Sequence, residues 1–220
     1  MKKYVHIFRP LYIPIVNFLY QKFKAPKRYH HLFDEIARLQ ATRILEVGTW
    51  NGGRAVKMIK TAQKVSPVKD ILYVGFDLFE ELDNDMFEYE ISKRPPQKKE
   101  VEEKLSKTGA HIELVQGNTL ETLPAYVKNA EPFDFIFIDG GHNVNTVRSD
   151  WNAVRQLMDK DTVIIFDDYW RNRDDQSAKP VVDAIDRTKY NIQILNEIDV
   201  FDNVDHGRLE ISFAKVTRRF

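Results

Sequence analysis

The ten residues Ile44-Leu-Glu-Val-Gly-Thr-Trp-Asn-Gly-Gly53 constrain this chain more than any other stretch. An apolar run carrying the acid Glu46 turns on Gly48 and again on Gly52-Gly53, then opens into a helical stretch over 55–64. A strand, a glycine loop and a helix in that order bring backbone N–H groups and a helix N-terminus to an exposed ligand position. The spacing differs from the G-x-G-x-x-G of dinucleotide folds, and no Gly-Lys-Ser/Thr follows to make a phosphate loop. Two readings stay open at this point: a nucleotide-type ligand, or only a tight strand-to-helix turn.

The rest of the chain repeats the alternation. Strand-like runs at 43–47, 71–76, 111–115, 133–138 and 162–166 are separated by helical stretches within 55–64, 97–107, 120–129 and 146–158. Phe135-Ile-Phe-Ile138 and Val163-Ile-Ile-Phe166 are apolar throughout. Such strands are covered on both faces, which predicts a parallel sheet between helix layers. After a further helix near 181–187, residues 191–195 and 209–216 read as two more strands, which Asn203-Val-Asp-His-Gly207 can turn antiparallel. The expectation is one α/β domain over 41–220 with a seven-stranded, mostly parallel sheet.

Composition removes several classes. With 33 basic and 33 acidic residues the formal charge is zero, so no nucleic-acid partner is expected. The absence of cysteine excludes a disulfide scaffold, a thiolate metal site and a cysteine nucleophile, and it fits a cytoplasmic protein. Residues 1–40 read as an arm and a helix. Tyr4–Phe23 is aromatic and aliphatic, flanked by Lys2, Lys3, Lys22, Lys24, Lys27 and Arg28. Arg9, Pro10 and Pro14 interrupt it, leaving no cleavable signal and no membrane span. Such an arm packs on the domain, pairs two copies as a homodimer, or lies on an anionic membrane surface. Residues 28–40 read as an amphipathic helix with Leu32, Ile36 and Leu39 on one face. A long insertion at about 79–95, rich in acids and aromatics, is a lid or substrate wall, or else a solvated loop.

Ligands of open α/β sheets bind beyond the carboxyl ends of the strands. Asp77 closes the second strand and can accept hydrogen bonds from ribose hydroxyls; a capping role is the alternative. Gly117-Asn118 closes the third strand, and Asn118 is equally suited to cap a helix. The fourth strand ends Asp139-Gly-Gly-His142 and the fifth Asp167-Asp168-Tyr169-Trp170. Three carboxylates on neighbouring strands repel unless a positive group sits among them. A hard cation such as Mg2+ meets that need; the plain reading makes one acid a helix cap and leaves another in solvent. Trp50, Tyr169 and Trp170 border the same crevice and can stack on a ring or close the core.

Glu46-x-Gly48-x-x-x-Gly52 resembles motif I of the class I S-adenosylmethionine-dependent methyltransferases. The Asp139-Gly-Gly-His142 loop with Asp167-Asp168 is similar to the metal-dependent O-methyltransferases, in pattern closest to those acting on macrolide sugars and to small bacterial members with an Asp-Gly-x-His loop. The resemblance covers roughly residues 30–216. It implies a Rossmann-like fold with helices on both faces and a reversed last strand. S-adenosylmethionine would lie against Glu46, Gly48, Trp50, Gly52, Asp77, Gly117, Asn118 and Asp139. It implies Mg2+ on Asp139, Asp167 and Asp168, His142 as base, a small sugar-like acceptor, and Tyr169 and Trp170 at the substrate rim. Catechol-type enzymes carry Asp-Asn where this chain has Asp167-Asp168 and usually a lysine near the position of His142, which argues against a catechol or caffeoyl ester. Two rivals remain: a metal-independent methyltransferase of protein or nucleic acid, and a non-catalytic nucleoside-binding or assembly protein of this fold.

Overall fold

A computed structural model describes residues 26–90, 94–204 and 207–220. The basic-aromatic arm and its expected roles in packing, dimerisation or membrane contact lie outside these residues. No described helix is long and apolar enough to cross a membrane.

The described chain alternates as its hydrophobic pattern requires. The strands are β1 (Arg43–Val47), β2 (Leu72–Asp77), β3 (His111–Gln116), β4 (Phe135–Ile138), β5 (Val163–Trp170), β6 (Tyr190–Ile194), β7 (Asp199–Val204) and β8 (Gly207–Arg218). The helices are α1 (His30–Leu39), α2 (Gly53–Ala62), α3 (Asn84–Tyr89), α4 (Lys98–Ser106), α5 (Thr119–Tyr126), α6 (Val144–Val154) and α7 (Lys179–Asp183). Sheet order is β3-β2-β1-β4-β5-β8-β6, parallel through β5, with β7 also pairing β8. β8 runs antiparallel to β5, β6 and β7. The sheet therefore has one strand more than expected. β6 and β7 pair with successive halves of the same edge of β8, Tyr190–Ile194 with its end and Asp199–Val204 with its start.

Alternation along the strands divides the core into two layers. Ile44, Tyr73, Phe135, Phe137, Val163 and Ile165 pack under α1, α2 and α4. Leu45, Val47, Val74, Ile136, Ile164 and Phe166 pack under α5, α6 and α7. Parity then carries Glu46, Asp77, Asp139 and Asp167 to the first of these faces, at or near the carboxyl ends of their strands.

Gly48 shows why this edge tolerates only certain residues. Its φ is +90°, and a Cβ there would overlap the Asp139 carbonyl, while the Asp139 amide donates to Val47 O at 2.8 Å. Glycine lets the ends of β1 and β4 pass backbone to backbone.

On the opposite face, α6 buries Asp150, 1% exposed, with the Thr119 side chain as its hydrogen-bonding neighbour. Burial pushes its carboxyl up to about 7. Between the ordinary carboxylate value near ~4 and about 7, the folded state holds a proton that the unfolded chain releases. This contribution to stability is full below ~4 and is lost as pH rises through 7. Asp150→Asn is expected to raise Tm at pH 8 by about 3 °C or more, with the gain shrinking towards pH 4 in thermal denaturation followed by circular dichroism.

Candidate active site

β5 continues past Phe166, where the sequence pattern ends it, because it pairs with β8 through a bulge. Phe166 faces Ala214 and Tyr169 faces Ser212, so one residue is extra. Asp168 takes it up with φ 51°. Left-handed backbone at a non-glycine residue is strained and recurs at functional positions. The bulge turns Asp168 to the same side as Asp167, and Asp139 meets them from β4. Each of these three acids offers an oxygen within 4.8 Å of the others. The spacing and the all-oxygen chemistry suit a hard divalent cation.

Each carboxylate also holds a cation of the chain. Arg28, just ahead of α1, is 3% exposed. Its Nε and Nη2 donate to Asp167 Oδ1 at 2.9 and 2.8 Å, and its Nη1 donates to Asp199 Oδ2 at 2.8 Å. The Tyr29 hydroxyl donates to Asp167 Oδ2 at 2.7 Å. Burial opposes the Arg28 charge, but Asp167 and its neighbours hold the guanidinium protonated. Arg54, in the first turn of α2, pairs with Asp139 and lies 4.0 Å over the Tyr29 ring.

His142 is held at both nitrogens. Nδ1 lies 2.9 Å from the Glu90 carbonyl, which only accepts, so Nδ1 carries the hydrogen. Nε2 lies 2.8 Å from Asp168 Oδ2. Burial works against charge on this ring, yet Asp168 pushes it up to about 9. In turn His142 and Arg28 outweigh burial at Asp168 and hold its carboxyl below the usual range. The ring stacks on Trp170 at 5.7 Å.

Beneath the glycine loop, Glu46 is fully buried. The Tyr73 hydroxyl donates to Oε2, while Oε1 has no partner. Burial pushes this carboxyl up to about 7, with Arg54 pulling it down. Asp77 accepts from the Trp50 amide at 2.6 Å and the Phe79 amide at 3.1 Å. Its pKa is raised by burial, against those N–H groups. Gly52 caps α2 at φ 67°, Gly117 turns at φ 123°, and Asn118 caps α5 by accepting from Leu120 N at 3.0 Å.

The structure thus brings Asp139, His142, Asp167 and Asp168 together and sets Glu46 and Asp77 at the neighbouring strand ends. Trp50 is 41% exposed at the loop, its Nε1 donating to Arg94 O at 3.1 Å. Tyr169 and Trp170 do not form an open rim. They are 8% and 3% exposed because β5 runs on through both, and the Tyr169 hydroxyl donates to Asp183.

Sequence reasoning missed Arg28, Tyr29, Arg54 and Glu90 as parts of this cluster. Arg54 carried a signal, since a cation in a helix's first turn opposes the helix dipole and needs a nearby acid. Glu90 carried none. It comes from the insertion, is 5% exposed, and accepts from Asn143 N at 3.0 Å and Thr146 Oγ1 at 2.5 Å. The insertion is therefore pinned to the Asp139–His142 loop.

The family described as a methyltransferase domain matches residues 45–169, more than half of the 220 residues, and the chain belongs to that family. No curated protein sequence matches it. Among solved structures, it is similar to an O-methyltransferase from Bacillus cereus in complex with SAH, at 18% identity and TM-score 0.58, covering 87% of this chain and 81% of that one. It is also similar to the O-methyltransferase TomG from Streptomyces achromogenes, involved in tomaymycin synthesis and in complex with SAM, at 17% identity and TM-score 0.59, covering 90% and 86%. These likenesses establish the class I, Rossmann-like methyltransferase fold.

A Cβ on Gly141 would overlap the Glu90 carboxylate. Gly141→Ala should expel Glu90, leave the Asn143 amide and Thr146 hydroxyl without their acceptor, and lower Tm by about 5 °C. The Gly141→Ala/Glu90→Ala pair should be no less stable than Glu90→Ala alone, as a double-mutant cycle would read.

Proposed function

We propose that this methyltransferase moves a methyl group from S-adenosylmethionine to a hydroxyl of a small, oxygen-rich acceptor such as a sugar, with a divalent cation at the acid cluster. The observation that carries this reading is the convergence of Asp139, Asp167 and Asp168 within 4.8 Å, with His142 on Asp168. The S-adenosyl ligands of the two solved structures support the choice of cofactor. So does the unpaired, fully buried Glu46 Oε1, a natural acceptor for a cationic ligand beside the glycine loop.

Asp77 is the acceptor for ribose hydroxyls, with the Gly48–Gly52 loop against the nucleoside and Gly117-Asn118 towards the base. Asp139, Asp167 and Asp168 would hold Mg2+, which when bound lowers the pKa of a coordinated hydroxyl. The chain's own part is alignment and proton handling. Attack in line with an already activated methyl demands approach within about 3–3.5 Å. His142 takes the hydroxyl proton at Nε2, because Nδ1 is committed to the Glu90 carbonyl. That nitrogen is free for the task only when Asp168 is engaged by another cation.

One observation favours a second reading, methyl transfer without metal: each of the three acids already pairs with Arg54, Arg28 or His142. Here Arg28, Arg54 and His142 balance the cluster without an ion, as in the alternative of a metal-independent methyltransferase.

Calorimetric titration of S-adenosylhomocysteine, with and without Mg2+, tests the cofactor site. Micromolar binding in both conditions is expected, lost in Asp77→Ala; no binding in either overturns the methyltransferase reading of the crevice. For turnover of a hydroxyl acceptor, EDTA is expected to abolish activity and Mg2+ to restore it. Full activity in EDTA selects the metal-independent reading. Under saturating metal, His142→Ala is expected to lower kcat by about 100-fold or more, and an unchanged rate removes it as the base.

A further inference from the structure

A second group of metal-ligating side chains lies apart from the acid cluster, where the start of α1 meets the turn between β6 and β7. The His30 and His31 rings lie tilted by 34° with centroids 4.0 Å apart. His31 Nε2 bonds Glu197 Oε2. His30 Nε2 lies 3.9 Å from Glu197 Oε1 and 3.9 Å from Asp34 Oδ2, one helical turn on. One donor atom from each of His30, His31 and Glu197 falls within 4.8 Å of the others.

Two features distinguish this group from a chance meeting of surface side chains. His30 Nδ1 lies 2.6 Å from the Lys27 carbonyl. A carbonyl only accepts, so the hydrogen sits on Nδ1 and the Nε2 lone pair points at the cluster. Metal-binding histidines are oriented by this kind of contact from the other nitrogen. The two halves of the cluster are also held together without any ion. The Lys27 and Arg28 amides donate to Asp199 at 3.1 and 3.4 Å, and the Arg28 guanidinium joins the same carboxylate. His31 and Glu197, 166 residues apart in sequence, are therefore brought face to face by neighbours.

We propose that His30, His31 and Glu197, with water as fourth ligand, bind a borderline transition-metal ion of the Zn2+ class. Imidazole nitrogens select Zn2+ and its neighbours over Mg2+, which prefers the all-oxygen set of Asp139, Asp167 and Asp168. Tetrahedral Zn2+ with bonds near 2.1 Å needs donors about 3.4 Å apart. The 3.9 Å separation of His30 and Glu197 closes to this by small rotations of side chains that are not locked in the core. Two neutral imidazoles and the Glu197 carboxylate leave Zn2+ a fourth position for water. The His30 and Glu197 side chains are 48% and 35% exposed, so the ion has an open path in and out. Bound there, it ties α1 to the β6–β7 turn, directly beside the Arg28 and Tyr29 contacts to Asp167.

This site is independent of the methyltransferase reading, and its test does not use activity. Zn2+ is titrated calorimetrically into the full chain in excess Mg2+, which saturates oxygen-only sites. One equivalent is expected to bind, with affinity about tenfold or more weaker in His31→Ala and in Glu197→Gln. Zn2+ should raise the Tm of the wild type but not of either variant. Co2+ in place of Zn2+ should give the strong visible absorption of a four-coordinate ion, lost in His31→Ala. Circular dichroism of each variant confirms its fold. Absence of Zn2+ binding, or binding unchanged in both variants, overturns the proposal.

Discussion

Crowded negative charge at the carboxyl ends of the parallel strands is the constraint around which the structure is arranged. Strand parity and a bulge deliver Asp139, Asp167 and Asp168 to one place, and carboxylates so close are stable only with cations among them. Arg28, Arg54 and His142 supply them from three different parts of the chain. Buried ion pairs add little net stability, but removing one partner leaves an uncompensated charge and is costly. The site is therefore self-consistent as a unit. A divalent ion added to it would compete with or share these guanidinium contacts.

Close backbone approach is the second constraint. Gly48 lets β1 pass the end of β4, and Gly141 leaves room for the Glu90 carboxylate. Through Glu90 the insertion after β2 becomes part of the loop that carries His142: its side chain caps the start of α6 and its carbonyl sets the histidine tautomer. A segment that looks like a surface addition thus positions a candidate proton acceptor.

The third link joins the start and end of the described chain. β8 is twelve residues long and carries β5 on one edge and both β6 and β7 on the other. Its Phe213 receives the Tyr29 ring edge-on at 5.4 Å, and Asp199 at the start of β7 binds Arg28. These contacts hold the segment before α1 over Asp167. The turn just ahead of α1 is a wall of the site, not merely a lead into the helix.

What the sequence determines by itself is whatever depends on local period. Runs such as Phe135–Ile138 announce buried parallel strands, and the spacing of Glu46, Gly48 and Gly52 announces the loop and its helix. The same alternation sets Glu46, Asp77, Asp139 and Asp167 on one face, so the acidic side of the site is legible in the order of residues alone. Its positive side is not. Arg28 meets Asp167 across 139 residues of sequence, and Arg54 meets Asp139 across 85. Such pairings are chosen by packing, to which local periodicity is blind. The bulge at Asp168, the burial of Tyr169 and Trp170 and the extra strand β7 follow from how far β8 extends pairing along its two edges. Propensity could not foretell that length, because backbone hydrogen bonding between distant strands is decided only when the sheet assembles.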